Sequence, residues 1–255
     1  MINLIFIHGV NSQTTGFSNR FYQNILSAYM SALIKNKVSV TEAQAKGQQL
    51  IQKEILWANV TIDLTNQYLT WQFSISKRKS FWNFIPKQID PLVIQILSYV
   101  KDKGDKDTGL MTILISVHAS MENASSNNSE KTIIIAHSLG SVIAYDYVFG
   151  FRKYKLNPSL NVEALITLGS PIPLFTAAMG HVSNPISMPT NLKRWINILD
   201  PDDGVARYCS RYFPNLTVED IAVNTGWNPL NAHADYWTNK KVAGLIAEKL
   251  IEWKI

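Results

Sequence analysis

The sequence predicts an α/β protein with a mostly parallel sheet of about six strands and helices on both faces, and three observations predict it. Short runs of β-branched and aliphatic residues recur, stretches with helical spacing separate them, and most of the runs are apolar nearly throughout. Strands buried on both faces have that character, because neither side meets water.

The runs are NLIFI at 3–7, EILWANV at 54–60, KTIIIA at 131–136, EALITL at 163–168 and RWINIL at 194–199, with TVEDIAV at 217–223 as a weaker sixth. Helical patterns fall at about 18–35, 87–102, 107–121, 139–152 and 239–253, so strand and helix alternate along the chain. With 255 residues of which 46% are hydrophobic, the chain can bury a sizeable core, and no repeat or linker divides it. Residues 1–255 therefore read as one domain. Two irregular stretches interrupt the alternation, at 62–90 and at 171–190 with its four prolines, and both read as lid or cap excursions. The polar segment ENASSNNSEK at 122–131 reads as a surface loop before a core strand.

Several function classes drop out on composition. No apolar run approaches the roughly 18 residues that a membrane span requires, and MINLIFIHGV is too soon followed by polar residues to be a secretory signal. A soluble, cytoplasmic protein is expected. The lone Cys209 excludes an internal disulfide framework and a CxxC pair. A formal charge of +5 is too small and too scattered to argue for nucleic acid, and implies only mild attraction to anionic surfaces. No His/Cys/Asp cluster has metal-ligand spacing and no glycine-rich loop has the form of a phosphate cradle, so neither metal nor cofactor is expected.

The chemistry begins at IIIAHSLGSVIAYD, residues 133–146, where the most hydrophobic run of the chain ends on a serine and turns at once to helical spacing. Small residues two before and two after that serine, in Ala136-His137-Ser138-Leu139-Gly140, fit the pattern G-x-S-x-G. In such an elbow, strand and helix pass so close that bulky neighbours would clash, and the strained turn holds the hydroxyl exposed at the strand end. The helix start then supplies free N–H groups for a developing oxyanion, Leu139 first. A serine-glycine turn that merely caps a buried helix is the bland alternative, so a base, an acid and further donors must be sought.

His8-Gly9 closes the first run, and the N–H of Val10 or Asn11 in the following turn is the candidate second oxyanion donor; a plain strand-ending turn is the alternative. His8 and Gly9 would then border the substrate. For the acid, Asp200, Asp202 and Asp203 all follow the run 194–199, on the sheet edge that carries the serine. Capping and solvated-loop roles compete, and position alone does not separate the three. Five histidines are available as base. His8 and His137 are fixed in the two turns, His118 lies on an apolar helical pattern, and His181 precedes the acidic loop. His233, in the polar loop NPLNAHADYWTN before the last helix, completes the order Ser, Asp, His.

Together, FIHGVN at 6–11, AHSLGS at 136–141, LGSPIPLF at 168–175, NILDPDDGVA at 197–206 and HADYW at 233–237 resemble the α/β-hydrolase superfamily, and within it the lipase-like intracellular serine esterases. The resemblance implies a Ser138-Asp203-His233 triad. Lipase-like members commonly carry aspartate, any residue, then valine after the penultimate strand, which matches Asp203-Gly204-Val205. Ala136 stands where the elbow usually has its first glycine, and the chain opens in what corresponds to the third strand of the full fold, so the leading hairpin is expected to be absent.

The implied activity is hydrolysis of carboxylic esters, of a small molecule or a lipid, through an acyl-enzyme on Ser138. An acyltransferase on the same triad and an inactive hydrolase-fold binding protein are the alternatives. Pro171 and Phe175, in an apolar stretch with Ile172 and Leu174, are candidates to line an acyl pocket, with helix packing as the other reading. Segment 71–84, WQFSISKRKSFWNF, sets five aromatics around three cations, which suits either a lid in transient contact with an anionic membrane surface or a solvated charge run between core aromatics.

Overall fold

Isoleucines set side by side in an extended chain must point to opposite faces, and the protein uses its apolar runs in that way. The computed structural model describes residues 1–10, 13–58, 109–124, 131–149, 160–178 and 188–255. The central strands are β1 (Ile2–Ile7), β3 (Lys131–His137), β4 (Val162–Leu168) and β5 (Trp195–Leu199), flanked by the edge strands β2 (Leu50–Ile55) and β6 (Val218–Ala222). The order across the sheet is β2-β1-β3-β4-β5-β6, and every neighbouring pair is parallel.

One face of the sheet presents Leu4, Phe6, Ile133, Ile135, Ile166 and Ile198 to helices α1 (Asn19–Lys35) and α8 (Lys240–Glu252). In α1, Phe21, Ile25, Tyr29 and Leu33 recur every four residues and form the buried stripe. The other face presents Ile5, Ile7, Ile134, Ala136 and Trp195 to α3 (Gly109–Ala124) and α4 (Leu139–Phe149). Helix α4 is buried on nearly every side, from Leu139 to Tyr145 without a break, so only a sequence apolar all round could occupy it.

The polar edges are where expectation and structure part. The predicted strand at 54–60 lies instead at Leu50–Ile55, with Trp57 and Ala58 buried in the irregular chain beyond it. An edge strand with polar side chains carries a weak apolar signal, and here those side chains have a task. Glu54 accepts hydrogen bonds from the N–H groups of Gly16 (2.6 Å) and Ser18 (2.8 Å) and from the Ser18 hydroxyl (2.6 Å). Gln52 donates to Ser18 Oγ at 2.7 Å, and the entry to α1 is thereby pinned to the sheet.

Apolar spacing does not predict helix α2 (Val40–Gly47), although Ser39-Val40-Thr41-Glu42 has the capping-box pattern in sequence: the Ser39 Oγ accepts from the Glu42 N–H at 3.2 Å. The short helices α5 (Ile172–Ala178), α6 (Cys209–Tyr212) and α7 (Pro229–Ala234) also escape periodicity. The expected helix at 87–102, the segment 62–90 including 71–84, and His181 lie outside the described residues. Among the described residues, no helix is long and apolar enough to cross a membrane.

Removal of the Glu54 carboxylate strands two backbone donors and one hydroxyl. Glu54→Ala is expected to lower stability by about 2–3 kcal/mol, measured by urea denaturation at neutral pH; an unchanged midpoint would show that water replaces the carboxylate at no net loss.

Candidate active site

Only one residue separates β3 from α4. That residue, Ser138, sits at φ 53°, in the left-handed region that side chains other than glycine's rarely occupy. Its backbone is held from both directions. The Ser138 N–H donates to Leu168 O at 3.0 Å, and Ser138 O accepts from the Ser141 N–H (2.9 Å) and the Ser141 hydroxyl (2.5 Å). The Ser170 and Ser141 hydroxyls are themselves hydrogen-bonded at 2.7 Å, so the turn after β4 braces the elbow.

The small residues of the motif follow from how closely β1 passes. A Cβ on Gly140 would lie 2.2 Å from His8 O and 2.8 Å from Ile7 O, and one on Gly9 would lie 2.8 Å from Ser138 Cβ. Ala136 fills the position of the usual first glycine, pairs with Ile7 in the ladder and packs into the core.

Of the three aspartates after β5, two have other surroundings. Asp202 is exposed. Asp200 is buried, and its carboxylate accepts from the N–H groups of Thr225 (2.5 Å), Asp202 (2.9 Å) and Gly226 (3.4 Å). Burial would raise its pKa, but those donors outweigh it and hold the carboxyl below the usual range. Asp203, 5% exposed, turns the other way: both of its oxygens meet His233 Nδ1, Oδ1 at 3.0 Å and Oδ2 at 2.9 Å. Burial again pushes the pKa up, and again loses, here to the hydrogen bond and charge of His233 and to the N–H groups of Val205 and Ala206.

His233 lies on α7 rather than in the loop expected for it. The helix starts as a capped turn: Asn228 Oδ1 accepts from the Asn231 N–H at 3.0 Å and Pro229 occupies the first helical position, where its missing N–H is no loss. On the far side of the ring, His233 Nε2 lies 2.8 Å from Ser138 Oγ. A carboxylate only accepts, so Nδ1 carries a proton toward Asp203, and in the neutral ring Nε2 is then the nitrogen that accepts from the serine hydroxyl. Ser138, Asp203 and His233 thus converge at the carboxyl ends of β3, β5 and β6, around a left-handed elbow in mid-sheet. The chain has the α/β-hydrolase fold.

The other predicted site residues fall around this centre. Leu139 is the first residue of α4, so its N–H belongs to the helix start beside Ser138. Val10 is half-buried at the end of β1 and packs on the α3–α4 side of the core, and Asn11 lies outside the described residues. His8 donates from Nδ1 to Gly9 O at 2.7 Å and stacks on Trp57 at 5.5 Å, so its ring is turned to the interior. Pro171 is buried, and its carbonyl accepts from the Leu174 and Phe175 N–H groups, which begins α5; Phe175 packs on the core beside α4. His118 pairs with Glu122 along α3 at 3.9 Å. Among the described residues, no group of three or more His, Cys, Asp or Glu side chains is placed to hold a metal ion.

Two side chains beyond the expected set touch the centre. His137 donates from Nε2 to the His233 carbonyl at 2.8 Å, and Tyr236 donates its hydroxyl to Asp203 Oδ2 at 3.0 Å. The first was legible only as part of the elbow, and the second only as the tyrosine of HADYW; neither contact follows from spacing.

No protein-family model matches the sequence, and no curated protein matches it. Among solved structures, a dienelactone hydrolase from Anabaena variabilis is similar over 98% of this chain and 85% of its own, with a TM-score of 0.46 and 14% identity. An acetyl xylan esterase is similar over 97% of this chain and 96% of its own (TM-score 0.40, 11% identity). ClbQ, from the colibactin NRPS/PKS pathway, is similar over 99% and 98% (TM-score 0.45, 10% identity). The strand order and the left-handed elbow at Ser138 define the fold.

The buried histidines set an acid limit on the α/β-hydrolase fold here. Burial first, then the neighbouring His233, lowers the His137 pKa from 6.5 to about 3, and burial lowers that of His8 to about 4. The unfolded chain binds protons on both near pH 6.5 and the folded chain does not, so stability falls as pH drops below that value. At about 1.4 kcal/mol per pH unit and group, pH 5 is expected to cost about 4 kcal/mol for the pair. Melting temperatures at pH 7 and pH 5 check this; equal values would mean that the two rings are not held neutral.

Proposed function

We propose that the chain is a serine hydrolase that cleaves carboxylic esters through an acyl-enzyme on Ser138. The observation that carries this reading is the single imidazole of His233, hydrogen-bonded to Ser138 Oγ at 2.8 Å and to Asp203 at 2.9 Å. In the reaction, His233 Nε2 takes the hydroxyl proton as Ser138 attacks the ester carbonyl, and Asp203 stabilises the imidazolium that forms. The tetrahedral oxyanion is met by the Leu139 N–H and an N–H of Val10 or Asn11. Collapse expels the alcohol, which takes the proton from His233, and water then repeats the sequence to release the acid. The substrate is an ester of a small molecule or a lipid, and segment 71–84 would serve as a lid in transient contact with an anionic membrane surface.

A fluorophosphonate probe tests the nucleophile. The adduct is expected on Ser138 by peptide mass spectrometry, with labelling slowed at least a hundredfold in His233→Ala. A folded wild-type protein that remains unlabelled contradicts the reading.

The two buried aspartates give opposite expectations. Asp203→Asn removes the acceptor that fixes the imidazole tautomer and is expected to slow labelling by about 10³ to 10⁴. Asp200→Asn leaves Nε2 of His233 bare and is expected to leave labelling within about tenfold while lowering stability by about 1–3 kcal/mol. Paired labelling rates and denaturation midpoints read both effects; the reverse pattern would make Asp200 the acid.

A further inference from the structure

Tyr236 lies three residues after His233, in the 3₁₀ turn Asp235–Trp237 that follows α7. Its side chain is fully buried. The hydroxyl donates to Asp203 Oδ2 at 3.0 Å and accepts from the Asp200 N–H at 2.7 Å. Both directions are forced, since a carboxylate oxygen only accepts and an amide N–H only donates. Burial raises the phenol pKa far above its ordinary value, so the group remains a donor across the working range of the protein.

The ring itself is fixed. It belongs to the α1–α8 side of the core, stands 5.5 Å from the His137 ring, and runs under Gly169 at the end of β4. A Cβ on Gly169 would lie 2.7 Å from the Tyr236 ring and 3.1 Å from Asp203 Oδ2. Asp203 Oδ1 is held independently by the Val205 (2.7 Å) and Ala206 (3.1 Å) N–H groups. Without the phenol, Oδ2 would keep, among the described residues, its contact with the His233 ring alone, and the carboxylate would be free to turn about the axis through Oδ1.

We propose that Tyr236 is a positioning residue of the triad: its hydroxyl ties Asp203 Oδ2 to the Asp200 backbone, so that the carboxylate stays aimed at His233 Nδ1. The proposal rests on the reading of Ser138, His233 and Asp203 as a hydrolytic triad. It makes one short stretch, His233 to Tyr236, supply both the base and the hold on its acid.

The test is a double-mutant cycle on the second-order rate constant for fluorophosphonate labelling of Ser138, with wild type, Tyr236→Phe, Asp203→Asn and the double variant. Tyr236→Phe keeps the ring and removes only the oxygen. It is expected to slow labelling about tenfold in the wild-type background, the low end of what one hydrogen bond to a charged group contributes. In the Asp203→Asn background the same change is expected to alter the rate less than about twofold, because the group it acts through is gone. An equal loss in both backgrounds, or no loss in the first, overturns the proposal. Should Tyr236→Phe fail to fold, a ring-fluorinated tyrosine at position 236, with a stronger phenol donor, is expected to change the rate when Asp203 is present and not when it is asparagine. Unchanged rates in both would overturn it as well. A wild-type protein that takes no label at Ser138 is a different failure, since it removes the triad reading beneath the proposal.

Discussion

The close approach of β1 to the first turn of α4 is the constraint on which the rest of the site depends. With room at Gly140 for a hydrogen and nothing larger against His8 O, the helix starts hard against the neighbouring strand and the single residue left between β3 and α4 must turn through φ 53°. Strain of this kind persists only where the surroundings over-determine it. Here they do so through Leu168 O, the Ser141 side chain and the Ser141–Ser170 hydroxyl pair. The hydroxyl of Ser138 is exposed to a partner because its backbone has no alternative.

Around that fixed point the protein builds a second tier of contacts. The loop after β6 is tied to the loop after β5 by Asp200, whose carboxylate gathers the Thr225 and Gly226 N–H groups. The Thr225 hydroxyl lies 2.6 Å from Ala232 O, one residue before His233. His137 holds the carbonyl of His233 itself. The imidazole therefore depends on buried polar groups that are all partnered, and a buried polar network is useful only when it is complete. This separates the two buried aspartates in physical terms: Asp200 gives its oxygens to donors of its own and the neighbouring loop and becomes a scaffold, while Asp203, held by the Val205 and Ala206 N–H groups and the Tyr236 hydroxyl, also brings both oxygens to the ring.

Much of this was legible in the sequence, and the reasons for the remainder are specific. β1, β3, β4 and β5 were readable because burial on both faces demands unbroken apolar runs, whereas β2 was displaced because an edge strand carries Gln52 and Glu54 to bind the chain before α1. The elbow was readable because close packing leaves a signature of small residues around Ser138. His233 was found by elimination, but its helix was not, since six residues have no periodicity and Asn228-Pro229 is a cap legible only in retrospect. Position on the sheet edge left Asp200, Asp202 and Asp203 equivalent; a resemblance favoured Asp203, and only the three-dimensional contacts separate their surroundings. Tyr236 has partners 33 and 36 residues away, and no local rule connects them.

The central claim is that one neutral imidazole faces Asp203 with its Nδ1–H and Ser138 with a bare Nε2. Nitrogen-resolved NMR of ¹⁵N-histidine-labelled protein near neutral pH reads that tautomer directly. The account predicts that His233 carries its proton on Nδ1, with a strongly low-field proton signal that is lost in Asp203→Asn. A proton on Nε2, or a His233 signal indifferent to Asp203, would contradict it.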